Sequence, residues 1–166
     1  VGSFDRYPFR LPAVRHLHEL ALHPAVTFVV GENGSGKSTL LEAIAVAWGF
    51  NPEGGSLHFQ FGTRPSHSDL HDHLRLSRGV RRAQSGYFLR AESFFNVATE
   101  IEKLDEVEAP VAKIGPAYGP RALHEQSHGE AFMALMMERF YGDSLYILDE
   151  PEAALSPSRQ MAVLSR

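Results

Sequence analysis

The chain has 166 residues, with 43% hydrophobic side chains, 22% charged side chains and a formal net charge of −4 at pH 7. This composition predicts one globular domain with its own core, and because no apolar run approaches the length of a membrane span we expect no membrane insertion. The absence of cysteine excludes disulfides, thiolate metal sites and cysteine nucleophiles. It is compatible with the reducing cytosol, so we expect a cytoplasmic protein. The acidic balance argues against nucleic-acid binding by bulk charge, although a local basic patch stays open.

The first 22 residues carry weak strand signals. Residues 7–11 (YPFRL) predict an early strand, which the flanking prolines restrict to a sheet edge or a short element, and residues 14–22 predict a strand or a loop. Phe9 and Arg10 are candidates for stacking on an adenine base, although a core phenylalanine and a surface arginine are the more ordinary interpretation.

Residues 31–39 read GENGSGKST and fit the phosphate-binding P-loop pattern G-x-x-x-x-G-K-[ST]. Residues 25–30 (AVTFVV) are apolar and β-branched, which predicts a buried parallel strand before the loop, and residues 37–48 (KSTLLEAIAVAW) predict a helix after it. Glycines let successive N–H groups point at phosphate oxygens, and the helix N-terminus adds partial positive charge. The predicted nucleotide-binding residues are therefore Gly31, Glu32, Asn33, Gly34, Ser35, Gly36, Lys37, Ser38 and Thr39. Lys37 would meet the β- and γ-phosphates, and Ser38 would ligate Mg²⁺.

The region after this helix combines a predicted strand with a polar segment. Residues 57–61 (LHFQF) alternate like a half-buried strand, and residues 62–82 predict a solvated loop. His67 and His71 are four residues apart and would share a helix face, so a zinc site in this His67/His71/His73 region, completed by Asp69 or Asp72, is an alternative to the solvated loop. A cluster of arginines at positions 75, 78, 81 and 82 would contact phosphates or end a solvent-facing helix.

The last third of the chain predicts two helices and a strand that ends in acidic residues. Residues 86–92 (GYFLRAE) predict a strand, residues 94–107 a helix, and residues 127–141 a second helix that begins with a capping box. The apolar residues 144–148 (SLYIL) predict a short buried strand that delivers Asp149 and Glu150. Asp149 would hold Mg²⁺ opposite the P-loop serine, and Glu150 would orient or deprotonate the attacking water.

These motifs together resemble those of the ATP-binding-cassette (ABC) ATPases. The sequence GENGSGKST is similar to their Walker A motif, and LYILDEPEAALSP is similar to their Walker B motif with its catalytic glutamate, followed by a D-loop at residues 153–156. Residues 126–130 (QSHGE) stand where the family has its LSGGQ signature. Ser127 and Gly129 match that signature, whereas His128 and Glu130 depart from its commonest form.

The resemblance implies an α/β fold of the P-loop NTPase type, with a mainly parallel central sheet and the P-loop and Walker B strands at its centre. It implies one domain over residues 1–166, with a small helical insertion at about residues 93–141. It also implies an ATPase that uses ATP and Mg²⁺ and forms an ATP-dependent homodimer, with Lys37 and Glu150 as catalytic residues and Ser38 and Asp149 at the metal. Ser127 and Gly129 would contact the γ-phosphate held by the other subunit.

The branch of the family is indicated by what surrounds these motifs. The chain resembles the compact stand-alone ATPases of bacteria, near the recombination-repair and chromosome-maintenance branch, but without a coiled coil between the motifs. No clear Q-loop glutamine is present, because the strand at residues 86–92 ends in Glu92 and Gln84 precedes it. Two alternatives to the ATPase stay open: a nucleotide-gated regulatory module with negligible turnover, and the ATP-binding subunit of a transporter. The downstream partner is not indicated, and the charge does not favour nucleic acid.

The family also carries a later strand that ends in a histidine near the γ-phosphate. Residues 151–166 contain no histidine. We therefore expect the natural protein to continue beyond Arg166 with a strand and a histidine.

Overall fold

A computed structural model describes residues 5–57, 59, 67–79, 83, 85–106, 128–140 and 142–164. In chain order its elements are α1 (Pro12–Arg15), α2 (Lys37–Trp48), β1 (Gly55–Ser56), a 3₁₀ helix (Asp69–His73), β2 (Ser85–Arg90), α3 (Phe94–Glu106), α4 (His128–Arg139), β3 (Ser144–Asp149), a second 3₁₀ helix (Pro151–Ala154) and α5 (Pro157–Leu164). None of the described helices combines the length and the apolar composition that crossing a membrane requires.

The described strands form one small mixed sheet in the order β1-β2-β3. Strand β1 is antiparallel to β2, and β2 is parallel to β3. The register places Arg90 directly opposite Asp149, so the carboxyl ends of β2 and β3 lie side by side. The described sheet is therefore mixed, and its longer pairing, six residue pairs between β2 and β3, is parallel, against two antiparallel pairs between β1 and β2. The Walker B strand β3 is not central in the described sheet, because it is the last strand of the three.

Helices cover both faces of this sheet. On one face, Tyr87 and Leu89 of β2 pack with α3 and α4, where Phe132 and Leu135 are fully buried. On the other face, Phe88 of β2 packs with Ala45 of α2. Successive side chains of a strand point to opposite faces, and both faces of β2 are covered, which explains why the consecutive residues Tyr87, Phe88 and Leu89 are all buried. This layer order places the start of α2 beside the end of β3.

The strand predicted before the P-loop is not formed. Residues 25–30 make no sheet pairing in the structure, and the exposed fractions of Val26, Phe28 and Val30 are 61%, 78% and 87%. An apolar and β-branched sequence favours an extended backbone, but a strand also needs a neighbouring strand to satisfy its N–H and C=O groups. The described sheet stops at β3 and supplies no such neighbour to this segment.

The prediction of an early strand at residues 7–11 is also wrong, because these residues form turns that lead into α1. Pro12 occupies the first turn of α1, where its missing N–H is not needed and its fixed φ suits a helix. Residues 16–22, for which we predicted a strand or a loop, are irregular and largely exposed.

Five predicted elements are confirmed within about two residues. Helix α2 has the predicted bounds Lys37–Trp48 and ends at Gly49, whose left-handed backbone lets its N–H bond the carbonyls of Ala45 and Val46. Strand β2, helix α3 and helix α4 also lie where the sequence predicts them, and β3 extends the predicted strand to Asp149. Most of the predicted strand at residues 57–61 lies outside the described residues.

Candidate functional site

The P-loop wraps around the side chain of its own lysine. The Lys37 Nζ donates hydrogen bonds to the carbonyl oxygens of Gly31 at 2.8 Å and Glu32 at 2.9 Å, so the ammonium group lies against the start of the loop. The Ser35 N–H donates to the Glu32 carbonyl at 3.3 Å and closes the turn between them. The first residues of the loop, from Gly31 to Gly34, are exposed, whereas the residues that begin α2 are partly buried. The loop is thus closed on itself with its tip open to solvent.

Helix α1 and Leu11, the residue before it, contact the loop. The Ala13 N–H donates to the Ser35 carbonyl at 2.9 Å. Gly36 has a φ of 101°, and a Cβ at this position would lie 3.0 Å from the Leu11 Cβ. Gly36 therefore meets two requirements that an L-residue with a side chain meets poorly, a positive φ and a close contact.

Ser38 and Asp149 join the P-loop to the sheet. The Ser38 side chain interacts with the Asp149 carboxylate, which is buried at the end of β3. Burial is the main cause that raises the pKa of Asp149 above its ordinary value. The hydrogen bond from Ser38 and the positive charge of Arg90 act in the opposite direction and lower this pKa. The negative charges of Glu150 and Glu92 raise it further.

Glu150 follows Asp149 in an unusual backbone conformation. Its φ of 52° and ψ of 49° are left-handed, and it is the only non-glycine residue with a positive φ in the described ranges. Such a conformation costs a non-glycine residue free energy, and residues held in it concentrate at functional sites. Pro151 begins the 3₁₀ helix immediately afterwards. The turn keeps the Glu150 carboxylate exposed beside the P-loop.

A cavity of about 230 Å³ lies between these two motifs. Its walls carry the loop amides, the lysine ammonium, the serine hydroxyl and one carboxylate, from Leu11, Asn33, Gly34, Gly36, Lys37, Ser38, Thr39 and Glu150. Six of the predicted loop residues from Asn33 to Thr39 therefore line the same cavity as the predicted general base. Gly31 and Glu32 contribute through their carbonyl contacts to Lys37.

A network of charged side chains that the sequence did not predict surrounds Arg90, next to Asp149. Arg90, at the end of β2, donates a hydrogen bond from its Nη1 to the Glu42 Oε2 at 2.6 Å. The Arg90 Nε lies 3.7 Å from the Asp149 Oδ2, and its Nη2 lies 3.8 Å from the Glu92 Oε2. The Glu42 Oε1 also accepts a hydrogen bond from the Ser68 N–H at 3.3 Å. The signal in the sequence was a lone glutamate inside the apolar run LLEAIA and a lone arginine at the end of an apolar strand, since a charge in such a place needs a partner.

Of the two predicted signature residues, the structure describes only Gly129. Ser127 lies outside the described residues. Gly129 is buried in the first turn of α4 and is not among the residues that line the described cavity. The role of both residues on the nucleotide of another subunit stays a prediction.

The structure places both residues that were candidates for stacking on an adenine base, Phe9 and Arg10. Phe9 packs beside Val14, Ala43 and Leu70 in a small core cluster, and its ring meets the His73 ring edge-on at 4.9 Å. The ordinary interpretation of a core phenylalanine is therefore confirmed. Arg10 is exposed, and neither residue lines the described cavity.

The histidine-rich segment is partly folded rather than solvated throughout. Leu70 in the 3₁₀ helix is buried, so the prediction of a solvated loop is wrong for residues 68–73. The rings of His67 and His71 lie 5.2 Å apart, and the His71 Nδ1 lies 3.0 Å from the Ser68 carbonyl. The described residues contain no group of three or more potential ligands placed to hold a metal ion.

The structure describes two of the four arginines of the basic cluster, Arg75 and Arg78. Arg78 lies over the Trp48 ring at 4.3 Å and donates to the Trp48 carbonyl at 3.3 Å. Arg81 and Arg82 lie outside the described residues.

The residues present fit a magnesium ion. Mg²⁺ takes oxygen ligands and is held by one or two carboxylates together with substrate phosphates, and a P-loop serine with a strand-end aspartate is such a set. The Ser38 and Asp149 side chains already interact with each other. A hydroxyl and a carboxylate that meet in this way can ligate one ion together.

A glycine loop at a helix N-terminus, a lysine directed at the loop and a serine joined to a strand-end aspartate define a P-loop nucleotide-binding site. The family model described as ABC transporter matches residues 21–153, so the chain belongs to this family of P-loop ATPases. The resemblance seen in the sequence is confirmed at this level, whereas the repair and chromosome-maintenance branch stays a prediction. No curated protein and no solved structure gives a significant match to the chain.

Proposed function

We propose that this protein binds Mg²⁺ and ATP between its P-loop and the end of β3, hydrolyses the γ-phosphate, and dimerises when ATP is bound. One observation carries the proposal. The Ser38 side chain interacts with the Asp149 carboxylate, and Glu150 lines the same cavity as Lys37, so the two predicted motifs meet in one site.

Lys37 and the loop amides would bind the phosphate groups. The two carbonyl oxygens that the lysine now contacts are neutral acceptors, and phosphate oxygens carry full negative charge. Hydrogen bonds between charged groups are shorter and stronger than those to neutral acceptors, so the ammonium group would exchange its partners for the β- and γ-phosphates. The N-terminus of α2 adds partial positive charge at the same place.

Ser38 and Asp149 would hold Mg²⁺, and Glu150 would act on water. A bound Mg²⁺ neutralises the charge that develops on the phosphate oxygens. Glu150 is the exposed carboxylate of the cavity, and its left-handed backbone directs the chain away from β3 directly after Asp149. A carboxylate in this place can accept a proton from a water that attacks the γ-phosphate.

Release of inorganic phosphate from ATP, measured with Mg²⁺ and with EDTA, tests this function. The proposal expects phosphate release that depends on the wild-type chain and on Mg²⁺. Tight ATP binding without release would instead identify the regulatory module that switches on nucleotide binding alone. Absence of ATP binding under both conditions would contradict the proposal.

The dimer rests on the family resemblance of Ser127 and Gly129 and on the exposed tip of the P-loop. An N-terminus of α4 supplied by a second subunit would add free N–H groups next to the γ-phosphate. Light scattering of Glu150→Gln with Mg²⁺ and ATP should show twice the mass that it shows without nucleotide. A mass that stays unchanged in protein that has been shown to bind ATP would refute the dimer.

A further inference from the structure

Arg90 lies within 4 Å of three carboxylates in the part of the chain that the structure describes. Its side chain is 16% exposed and lies among the carboxylates of Glu42, Asp149 and Glu92. The Glu42 and Asp149 side chains are 10% and 9% exposed, so two of the three carboxylates are nearly as buried as the guanidinium. Buried charges of this kind are kept only where each has a partner.

The sheet register fixes the place of this guanidinium. Arg90 and Asp149 are paired across β2 and β3, and the Ala91 N–H donates to the Asp149 carbonyl at 3.3 Å. Glu42 lies on α2, the helix that begins with Lys37 and Ser38. Arg90 therefore connects the helix that carries the P-loop residues with the strand that carries the acidic pair.

Arg90 contacts the carboxylates of Glu42 and Asp149 in different ways. Glu42 accepts a hydrogen bond at 2.6 Å, which is short and charge-assisted. The Arg90 Nε lies 3.7 Å from the Asp149 Oδ2, which is too far for a hydrogen bond, and this Nε makes no hydrogen bond in the structure. The positive charge of the guanidinium therefore acts on Asp149, but the Asp149 carboxylate does not accept a hydrogen bond from this Nε, so its oxygen lone pairs are not used by it. An oxygen that must ligate a metal needs that lone pair free.

We propose that Arg90 is a positioning residue for the metal-binding carboxylate of Asp149, anchored through Glu42. Its charge keeps the buried carboxylate in place beside Ser38, while the stronger bond to Glu42 prevents the guanidinium from occupying the position of the metal. This inference rests on the proposed function, because it assigns a role at the same Mg²⁺ site. Neighbours of metal ligands commonly set ligand orientation in this way.

A purely structural role makes a different prediction. If Arg90 only neutralised buried carboxylates, its loss would lower the melting temperature and weaken ATP binding equally with and without Mg²⁺. If it positions Asp149, its loss would weaken chiefly the part of nucleotide binding that depends on Mg²⁺, since the P-loop contacts to the phosphates are separate from the network.

The test uses Arg90→Met, which removes the charge at similar length, and Arg90→Lys, which keeps a charge but cannot reach both carboxylates with two nitrogens. Arg6→Met is the matched control, because Arg6 forms an exposed ion pair with Asp69 away from the cavity. Binding of a fluorescent ATP analogue is titrated in EDTA and then at increasing Mg²⁺, and the melting temperature is recorded without ligand.

For Arg90→Met, the affinity in EDTA is expected within about twofold of the wild type, with a Mg²⁺ midpoint raised about tenfold or more. The Mg²⁺ midpoint of Arg90→Lys is expected to lie between those of the wild type and Arg90→Met. The midpoint of Arg6→Met is expected to equal that of the wild type. An unchanged Mg²⁺ midpoint in Arg90→Met overturns the proposal, and so does an equal loss of affinity in EDTA and in Mg²⁺. Where Arg90→Met does not fold, Arg90→Lys decides by the same criteria. A wild-type chain that shows no Mg²⁺-dependent binding overturns the proposed function and this inference together.

Discussion

The Ser38 side chain interacts with the Asp149 carboxylate, although Ser38 lies in the first turn of helix α2 and Asp149 ends strand β3. This contact is the point at which the loop that would bind phosphate meets the strand end that would bind metal. It forms because α2 packs on the sheet through Ala45 and Phe88, which brings the start of the helix to the carboxyl end of β3.

Lys37→Ala is expected to abolish nucleotide binding. The ammonium group is the cation that lines the described cavity, and its removal leaves the charge of the phosphates without its closest counter-charge. Isothermal titration with ATP measures the effect. Lys103→Ala is the matched control, because Lys103 forms an exposed pair with Glu100 on α3 and is expected to leave the affinity unchanged. Unchanged affinity in Lys37→Ala would refute the P-loop assignment.

Asp149→Asn is expected to weaken Mg²⁺ binding without lowering the stability of the fold. Burial raises the pKa of Asp149, so the ionised carboxylate lowers the free energy of unfolding once the pH has risen through that pKa. Removing the charge should therefore leave the melting temperature at pH 7 unchanged or higher when no ligand is present. The Mg²⁺-dependent part of the stabilisation by ATP should be lost, because the amide is a poor metal ligand.

Thermal melts with and without Mg²⁺ and ATP measure both effects. Asp143→Asn serves as the control, since Asp143 is exposed just before β3 and its change should leave both melts as in the wild type. A melting temperature well below that of the wild type without ligand would show that the charge of Asp149 stabilises the fold, contrary to this account.

Gly36→Ala and Gly34→Ala are expected to differ in size of effect. Both glycines have a positive φ, which costs a residue with a Cβ about 1–2 kcal/mol. At Gly36 the new Cβ would also lie 3.0 Å from the Leu11 side chain, whereas at Gly34 nothing lies within 4 Å. Chemical denaturation should therefore give a larger loss of stability for Gly36→Ala. Equal losses would mean that Leu11 does not support the loop in the way described.

The sequence predicted the local elements well and the sheet poorly. Helix α2 was predicted because its residues have high helix propensity and Gly49 ends it, and both signals lie inside one short segment. The strand at residues 25–30 was predicted from composition alone, and composition does not say which strand is its neighbour. Pairing is a relationship between distant segments, so one sequence leaves it undetermined.

The residues of the site differ in the same way, because some belong to one contiguous motif and others depend on contacts between distant segments. Lys37, Ser38, Asp149 and Glu150 were predicted because each motif is contiguous and its spacing carries the chemistry. Arg90 and Glu42 were not, because their contact depends on how α2 packs on the sheet and on the register between β2 and β3. A charged residue in an apolar segment signals that a partner exists but does not identify it.

Glu150→Gln gives the most direct test of the claim that this site hydrolyses ATP. The amide keeps the shape of the side chain but cannot accept a proton from water, so ATP binding should persist while phosphate release stops. Glu152→Gln is the matched control, because Glu152 is exposed in the same turn and is not among the residues that line the described cavity. The account predicts phosphate release by the wild type and by Glu152→Gln, and none above background by Glu150→Gln that still binds ATP. Wild-type rates of phosphate release in Glu150→Gln would contradict it.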